Sequence, residues 1–313
     1  MEMLTKEFLE KIGFQKEDSE YIIELNEKHL HKIESLVEEY TMALNTKPFF
    51  KYIGDDREIA YQKAQDFIKS VHEKIPETDE KTARLLGWVN AIPKLYENYK
   101  NHGISEDVFF ASMRDFAYKL KECKDVYDIF GLFTDWFFLF FDLNMFALGR
   151  FQYEITSFIY DEYSCGEYTL KKGDTVYYCH IPSSGRLTTD VCMESFQKAY
   201  AFFKTQLSGD IIPIISDTWL FYKPYFEKVF PEGSNLQKFI NLFDIIDSKS
   251  DGNRFDDCWR VFNKMYEGTT LGLPTDNTLR RNFIKYIDDG GDFGEGYGVI
   301  LYNGKTGEII NKK

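Results

Sequence analysis

The sequence predicts an α+β protein in two domains, an all-helical domain over residues 1–146 and a mixed α/β domain over 147–313. Three observations carry this. Up to residue 145, apolar residues recur at helical spacing, with Glu and Lys on the opposite face. From Arg150 the period changes to strict alternation. The centre of the second half reads as one strand–helix–strand crossover, Thr175 to Ser216, whose strands should be parallel. A chain of 313 residues is long for one core and natural for two. Its 43% hydrophobic and 17% aromatic content argues for filled cores rather than disorder.

Along the first half, Met1 to Gly13 alternates charges with Leu4, Phe8, Leu9 and Ile12, the pattern of an amphipathic helix and not of a signal peptide. Leu30, Ile33, Val37 and Tyr40 share one helical face. Pro93 should kink or end its helix. Ser105 suits an N-cap, with Glu106 and Asp107 favouring the dipole ahead of Phe109, Met113, Phe116 and Leu120. The phenylalanine-rich run Phe130 to Leu148 contains Asp135 and Asp142, which are costly in a bilayer, so it reads as a buried helix rather than a membrane span. His29, His31, His72 and His102 lack H-E-x-x-H spacing and sit among charges, which suits exposed surface histidines.

In the second half, Phe151, Tyr153 and Ile155 point one way and Arg150, Gln152, Glu154 and Thr156 the other. Lys171-Lys172-Gly173-Asp174 is a turn signal before a strand at Thr175 to Ile181. The following helix carries Val191, Cys192, Ser195, Phe196, Ala199, Phe202 and Phe203 on its apolar side. A strand at Ile211 to Ser216, a short helix around Tyr222 to Phe230, a strand at Phe243 to Asp247 and a helix at Asn277 to Ile287 come next. A hairpin, Tyr297 to Tyr302 against Glu308 to Ile310, turns at Asn303-Gly304.

The net charge of -13 argues against a nucleic-acid binder, whose affinity rests on Lys and Arg neutralising phosphates. Cys123, Cys165, Cys179, Cys192 and Cys258 form no C-x-x-C pair, so neither a zinc site nor a redox dithiol is signalled. Free thiols in a reducing cytoplasm are the simplest reading, with no metal and no membrane partner. Asp247-Ser248-Lys249-Ser250-Asp251-Gly252 resembles a calcium loop, but Lys249 and Cys258 stand where acids are needed, which leaves a polar turn. Gly294-Glu295-Gly296-Tyr297-Gly298 lacks the following helix of a dinucleotide loop and reads as a flexible approach to the last hairpin. Ser195 lacks a nucleophile elbow. Trp219 reads as a core or pocket-wall aromatic.

The segment best suited to chemistry is Pro182-Ser183-Ser184-Gly185-Arg186-Leu187-Thr188. It leaves the carboxyl end of a strand and enters a helix amino-terminus, where unpaired N–H groups and the dipole favour an anion. Gly185 permits close backbone approach, the three hydroxyls add donors, and Arg186 adds a positive charge. The same residue types also suit an ordinary loop with Thr188 as N-cap, and residue type alone leaves both open.

The run Cys179-His180-Ile181-Pro182-Ser183-Ser184-Gly185-Arg186-Leu187-Thr188, with Ser195 and Phe202-Phe203 downstream, resembles a signature of bacterial GNAT-like acyltransferase proteins. Leu148-Gly149-Arg150-Phe151-Gln152-Tyr153-Glu154, Trp219-Leu220 with Pro224, Ser234-Asn235-Leu236 and Leu273-Pro274-Thr275-Asp276-Asn277-Thr278-Leu279 match in the same order. The resemblance implies a helical domain before a GNAT-like domain. It makes acyl-coenzyme A (acetyl-coenzyme A in the simplest case) the co-substrate, with an unknown small-molecule amine as acceptor. It implies that the strand containing Cys179 and Ile181 binds the pantetheine arm and that Ser183, Ser184, Gly185, Arg186, Leu187 and Thr188 hold the pyrophosphate. The usual GNAT loop reads Arg/Gln-x-x-Gly-x-Gly/Ala, and this turn has one glycine. Direct transfer needs a base for the amine and an acid for the thiolate. Glu154 and His180 are the base candidates, Asp217 ends the neighbouring strand, and Tyr222 or Tyr225 are candidates for the acid. The alternative is a non-catalytic binding module on the same fold; nothing in the sequence indicates oligomeric state.

Overall fold

The computed structural model describes residues 4–44, 47–252 and 254–312. The chain divides into two compact units, Met1–Leu148 and Gly149–Lys313.

The first unit contains α1 (Lys6–Ile12), α2 (Lys16–Met42), α3 (Asp56–Lys74), α4 (Glu80–Asn101), α5 (Glu106–Tyr127), the single turn α6 (Phe138–Phe141) and the strand β1 (Met145–Leu148). Thr5 caps α1 by accepting from the Phe8 amide, and Gly13 closes it at φ +118°, where glycine is favoured. Residues 1–3 of the expected first helix lie outside the described residues. Ser105 caps α5 as expected, accepting from the Val108 amide.

His29 is buried on the same stripe of α2 as Ile22 and Ile33, its Nδ1 3.4 Å from Glu77, whereas His31 and His102 are exposed. Burial pushes the His29 pKa down, against the opposing pull of Glu77. Pro93 does not end α4. That helix is buried from Leu85 to Pro93 and packs against α2, α3 and α5, so the cost of an interior proline, ~3 kcal/mol, is offset by burial. The Phe130–Leu148 run is buried but mostly not helical. Its backbone is tied elsewhere: the Phe130 carbonyl accepts from Thr82 Oγ1 at 2.8 Å, and the Leu132 amide donates to Lys81 at 2.9 Å. No helix among the described residues is long and apolar enough to cross a membrane.

The second unit contains β2 (Phe151–Ser157), β3 (Glu162–Cys165), β4 (Tyr168–Lys171), β5 (Thr175–His180), α7 (Thr189–Phe203), β6 (Ile211–Thr218), α8 (Lys223–Lys228), α9 (Asn235–Ile240), β7 (Asp244–Gly252), α10 (Cys258–Phe262), α11 (Thr278–Asp288), β8 (Phe293–Asn303) and β9 (Glu308–Ile309). The strand order runs β2-β5-β6-β8-β7, with β9 beside β8. β5 and β6 run parallel, as the crossover through α7 requires, and their neighbours pair antiparallel. Tyr153 and Tyr177 face α7, meeting Ser195 and Phe203. On the other face, Val176, Ile215 and Val299 join Tyr163 and Leu170 of the separate β3–β4 hairpin in one core.

The sequence reading places no strand at these residues, although Tyr163, Cys165, Tyr168 and Leu170 alternate around Gly166, which adopts φ +59°. On the polar side of β2, Gln152 and Glu154 are both buried. The calcium-like segment is no turn: β7 runs through it, pairing Ser248 with Gly296 and Lys249 with Glu295. The glycine-rich stretch lies inside β8, where a Cβ at Gly296 would sit 2.6 Å from the Phe221 carbonyl. These glycines let other backbone press onto the strand, so they serve close packing and not flexibility.

Candidate active site

The register of β2 against β5 places Gln152 opposite His180 and Glu154 opposite Tyr178. These four side chains therefore share one face, because directly opposed residues point the same way. The diagonal pair makes contact: His180 Nε2 lies 2.9 Å from Glu154 Oε2. Glu154 is 2% exposed and His180 29%, so the carboxylate backs the ring from inside while the ring remains accessible. Tyr178 stacks on His180 with centroids 4.1 Å apart and planes 19° apart, and donates its hydroxyl to the Asp217 backbone carbonyl at 2.6 Å. A tautomer that donates Nε2–H to Glu154 carries its lone pair on Nδ1, which is how a general base is oriented.

β5 and β6 are in register only at Tyr177↔Ile214 and Tyr178↔Ile215. Beyond these pairs β5 still pairs with β2 as far as His180, and β6 with β8 as far as Thr218. The parallel strands thus part at Cys179, and the buried Ser216 hydroxyl, 2.9 Å away, donates to the Cys179 carbonyl in place of a backbone amide. His180 and Asp217 stand at the mouth of this opening. Open α/β sheets bind ligands at the carboxyl ends of such strands.

The turn after β5 is organised by Arg150. Its guanidinium donates to the Pro182 carbonyl and Ser184 Oγ, each at 2.9 Å, to the Gly185 carbonyl at 3.0 Å and to the Arg186 carbonyl at 3.3 Å. Drawing these oxygens toward Arg150 holds the turn in one shape. Gly185 has φ +119°, and apart from its chain neighbours no heavy atom lies within 4 Å of where its Cβ would be. Ser195 on α7 accepts from the Phe151 amide at 3.2 Å and bonds the Tyr153 hydroxyl at 3.0 Å. The segments around Arg150, Ser184 and Ser195 are therefore one assembly, although they are distant in sequence.

Thr188 occupies the N-cap position of α7 without a side-chain cap bond. Asp190 meets that helix end, its carboxyl held below the usual range by the Thr188 hydroxyl and then by the Val191 amide. Leu187 is buried, so only its backbone can face a ligand, and the Cys179 thiol points into the core. Ile181, Ser184 and Thr188 are half-buried, and Ser183, Gly185 and Arg186 are exposed.

The chain matches the N-acyltransferase N-terminal domain over residues 3–143 and the GNAT-like C-terminal domain over residues 145–300. The chain belongs to the two-domain GNAT-like acyltransferase family. Similar solved structures include an acyltransferase in complex with decanoyl-CoA, at 16% identity and TM-score 0.68 over 94% of this chain and 86% of that one. Two others are an acyltransferase in complex with CoA and 10C-teicoplanin and one in complex with decanoyl-CoA and teicoplanin, each at 15% identity and TM-score 0.66 over 95% of this chain and 87% of theirs. At this identity they establish a shared fold. No curated protein matches the chain.

Within the GNAT-like domain, Glu154, His180 and Asp217 come together around Tyr178, whereas Tyr222 and Tyr225 do not join them. The Tyr222 hydroxyl donates to Asp292 at 2.8 Å. Tyr225 is 1% exposed among Trp219, Phe283 and Tyr286, and Trp219 is a wall of that aromatic cluster. Sequence reading missed the roles of Arg150 and Tyr178. Tyr178 had a signal, because it lies two residues before His180 on a strand and so shares its face. Among the described residues no cluster of His, Cys, Asp and Glu could hold a metal ion.

Burial and then Glu295 push the Asp217 carboxyl up to about 6, against the pull of Lys249, which itself pairs with Glu295 at 2.9 Å. A carboxyl raised on folding costs stability where it is ionised, and the cost disappears as pH falls through its folded value. Asp217→Asn should accordingly stabilise the protein by about 2 kcal/mol near pH 8, and the gain should vanish toward pH 4. Urea denaturation of both proteins across this range checks it; a difference that does not change with pH overturns it.

Proposed function

We propose that this protein is an acyl-coenzyme A-dependent N-acyltransferase of the cytoplasm, with His180 as general base and Glu154 as its positioning partner. The carrying observation is the Glu154–His180 pair at the point where β5 and β6 part. The amine nitrogen attacks the thioester carbonyl carbon, and its proton passes to His180 Nδ1. The carbon–nitrogen bond forms, the carbon–sulfur bond breaks, and the thiolate takes up a proton. Buried Glu154 stabilises the imidazolium that forms. Transfer is direct: Ser195 is bonded within the fold, and the Cys179 and Cys192 thiols are buried with their pKa values pushed up by that burial.

The donor would lie in the opening between β5 and β6, its pyrophosphate at the Ser183–Thr188 turn, where open space at Gly185 and the charge of Arg186 favour an anion. Asp190 would turn away from the first amides of α7 to admit it. The related acyltransferases in complex with decanoyl-CoA and teicoplanin support a thioester donor and a small-molecule acceptor. The single glycine of the turn favours the second reading, a binding module that keeps the fold without turnover.

Thermal melting with coenzyme A, acetyl-, octanoyl- and decanoyl-coenzyme A tests the donor. A ligand at about a hundredfold excess over its dissociation constant should stabilise by about 2.7 kcal/mol. No shift with any thioester overturns the acyltransferase reading. A shift without thiol release across a panel of primary amines favours the binding module.

A further inference from the structure

On the sheet face that packs against the β3–β4 hairpin, one row of side chains crosses three strands. Register sets Asp217 of β6 opposite Tyr297 of β8, and Tyr297 opposite Asp247 of β7, so all three project to the same side. Asp247 accepts the Tyr160 hydroxyl at 2.8 Å, and Glu295, next along that side of β8, pairs with Lys249 at 2.9 Å. The half-buried Asp217 carboxylate makes no hydrogen bond or ion pair among the described residues. Of the charges acting on it, Glu295, Asp247 and Asp251 oppose its ionisation and Lys249 favours it. Tyr297 is 3% exposed, and its hydroxyl has no hydrogen-bond partner among the described residues. Tyr160 meets the Tyr297 ring edge to face at 4.9 Å. Burial, then Tyr160 and Asp217, push the Tyr297 hydroxyl above its ordinary value, which places it within reach of the Asp217 charge. A buried hydroxyl beside a carboxylate, neither bonded to the other, suits an occupant with several N–H donors, and an ammonium has three.

This row stands beside the Glu154–His180 pair. The Tyr178 ring stacks on His180 and its hydroxyl reaches the Asp217 carbonyl, so a single tyrosine separates the two places. An amine that attacks a thioester is neutral at the moment of attack, and its proton goes to a base. A carboxylate holds the protonated, unreactive form instead. Asp217 is therefore suited to a different ammonium from the one that reacts at His180. The Asp217 charge also acts on Tyr160 and Tyr178, so aromatic rings stand near it, and these favour an organic cation.

We propose that the acceptor is a diamine, with one amine acylated at His180 and the second, as an ammonium, held by the Asp217 carboxylate and the Tyr297 hydroxyl. The first half of this statement rests on the acyl-transfer reading, and the second is a binding site that can be tested without it. Calorimetric titration of the full chain, with no thioester present, compares diaminopropane, diaminobutane, diaminopentane and diaminohexane, each with amines at both ends, with the amino alcohols and amino acids of the same lengths. At least one diamine should bind at least about tenfold more tightly than its amino alcohol, and the amino acid more weakly than either. Asp217→Asn should remove that preference. Tyr297→Phe, which takes away only the hydroxyl, should reduce it while leaving the amino alcohol bound as before. No diamine preferred over its amino alcohol in the wild-type protein, or a preference unchanged in both variants, overturns the proposal. The thioester melting shift is read separately. Its absence beside a diamine preference removes the acyl-transfer reading and leaves the ammonium site, whereas its presence with no diamine preference removes the site and leaves acyl transfer.

Discussion

His180→Ala should lower thiol release from an acyl-coenzyme A in the presence of accepting amines by about 10²–10⁴-fold, the usual contribution of a positioned general base. His180 is partly accessible at the end of β5, so its truncation leaves the core intact, and the thermal shift given by the thioester should remain. Glu154→Gln distinguishes a base from its support. The amide oxygen can still accept from Nε2–H, which preserves ring orientation, but the buried negative charge that stabilises the imidazolium is gone. Turnover should fall by about 10–100-fold with thioester binding unchanged, a loss in kcat and not in KM. Wild-type turnover in His180→Ala with intact binding would remove the pair from the mechanism. Near-complete loss in His180→Ala with none in Glu154→Gln would leave His180 as base and reduce Glu154 to packing.

Arg150→Ala should weaken thioester binding by about 10–100-fold, because it removes four hydrogen bonds that hold Pro182, Ser184, Gly185 and Arg186 in one shape. Without them the turn samples many conformations, and a bound pyrophosphate must impose the order that Arg150 now supplies. The chain should also lose about 1–3 kcal/mol of stability in urea denaturation. Arg150→Lys should not restore binding, since one ammonium cannot reach the acceptors that a planar guanidinium spans. Gly185→Glu probes the same place from the outside: it adds bulk and negative charge where no heavy atom beyond its chain neighbours lies within 4 Å, at a φ of +119° that favours glycine. If Arg150→Ala and Gly185→Glu both bind the thioester as the wild type does, the pyrophosphate does not lie at this turn.

Local pattern carried the reading where neighbours in sequence are also neighbours in space. The helical stripe of α2, the Ser105 cap of α5, the crossover through α7 and the final hairpin all follow from spacing of three to four or of two, together with turn residues. The same reasoning failed where backbone groups find distant partners. Phe130–Leu148 has the apolar content of a buried helix, but its backbone is taken up by residues of α4 and by the strand β1. The glycines of β8 suggested flexibility because their closeness to Phe221 and to β7 is not encoded near them.

The candidate site divides in the same way. Glu154, His180 and the Ser183–Thr188 turn stand out by residue type and by position at strand and helix ends, which are local properties. That Glu154 meets His180 depends on the register of β2 against β5, and a shift by one residue would turn Glu154 to the opposite face. Arg150 lies more than thirty positions before the turn it organises, so no local spacing could link them. The anion-suited turn that the sequence singles out keeps its place at the start of α7, but its shape belongs to Arg150, and Asp190 meets the Val191 amide at that helix end. Residue chemistry and period are written along the chain, whereas register and long-range capping arise only when the whole core packs, because each depends on burying both partners at once.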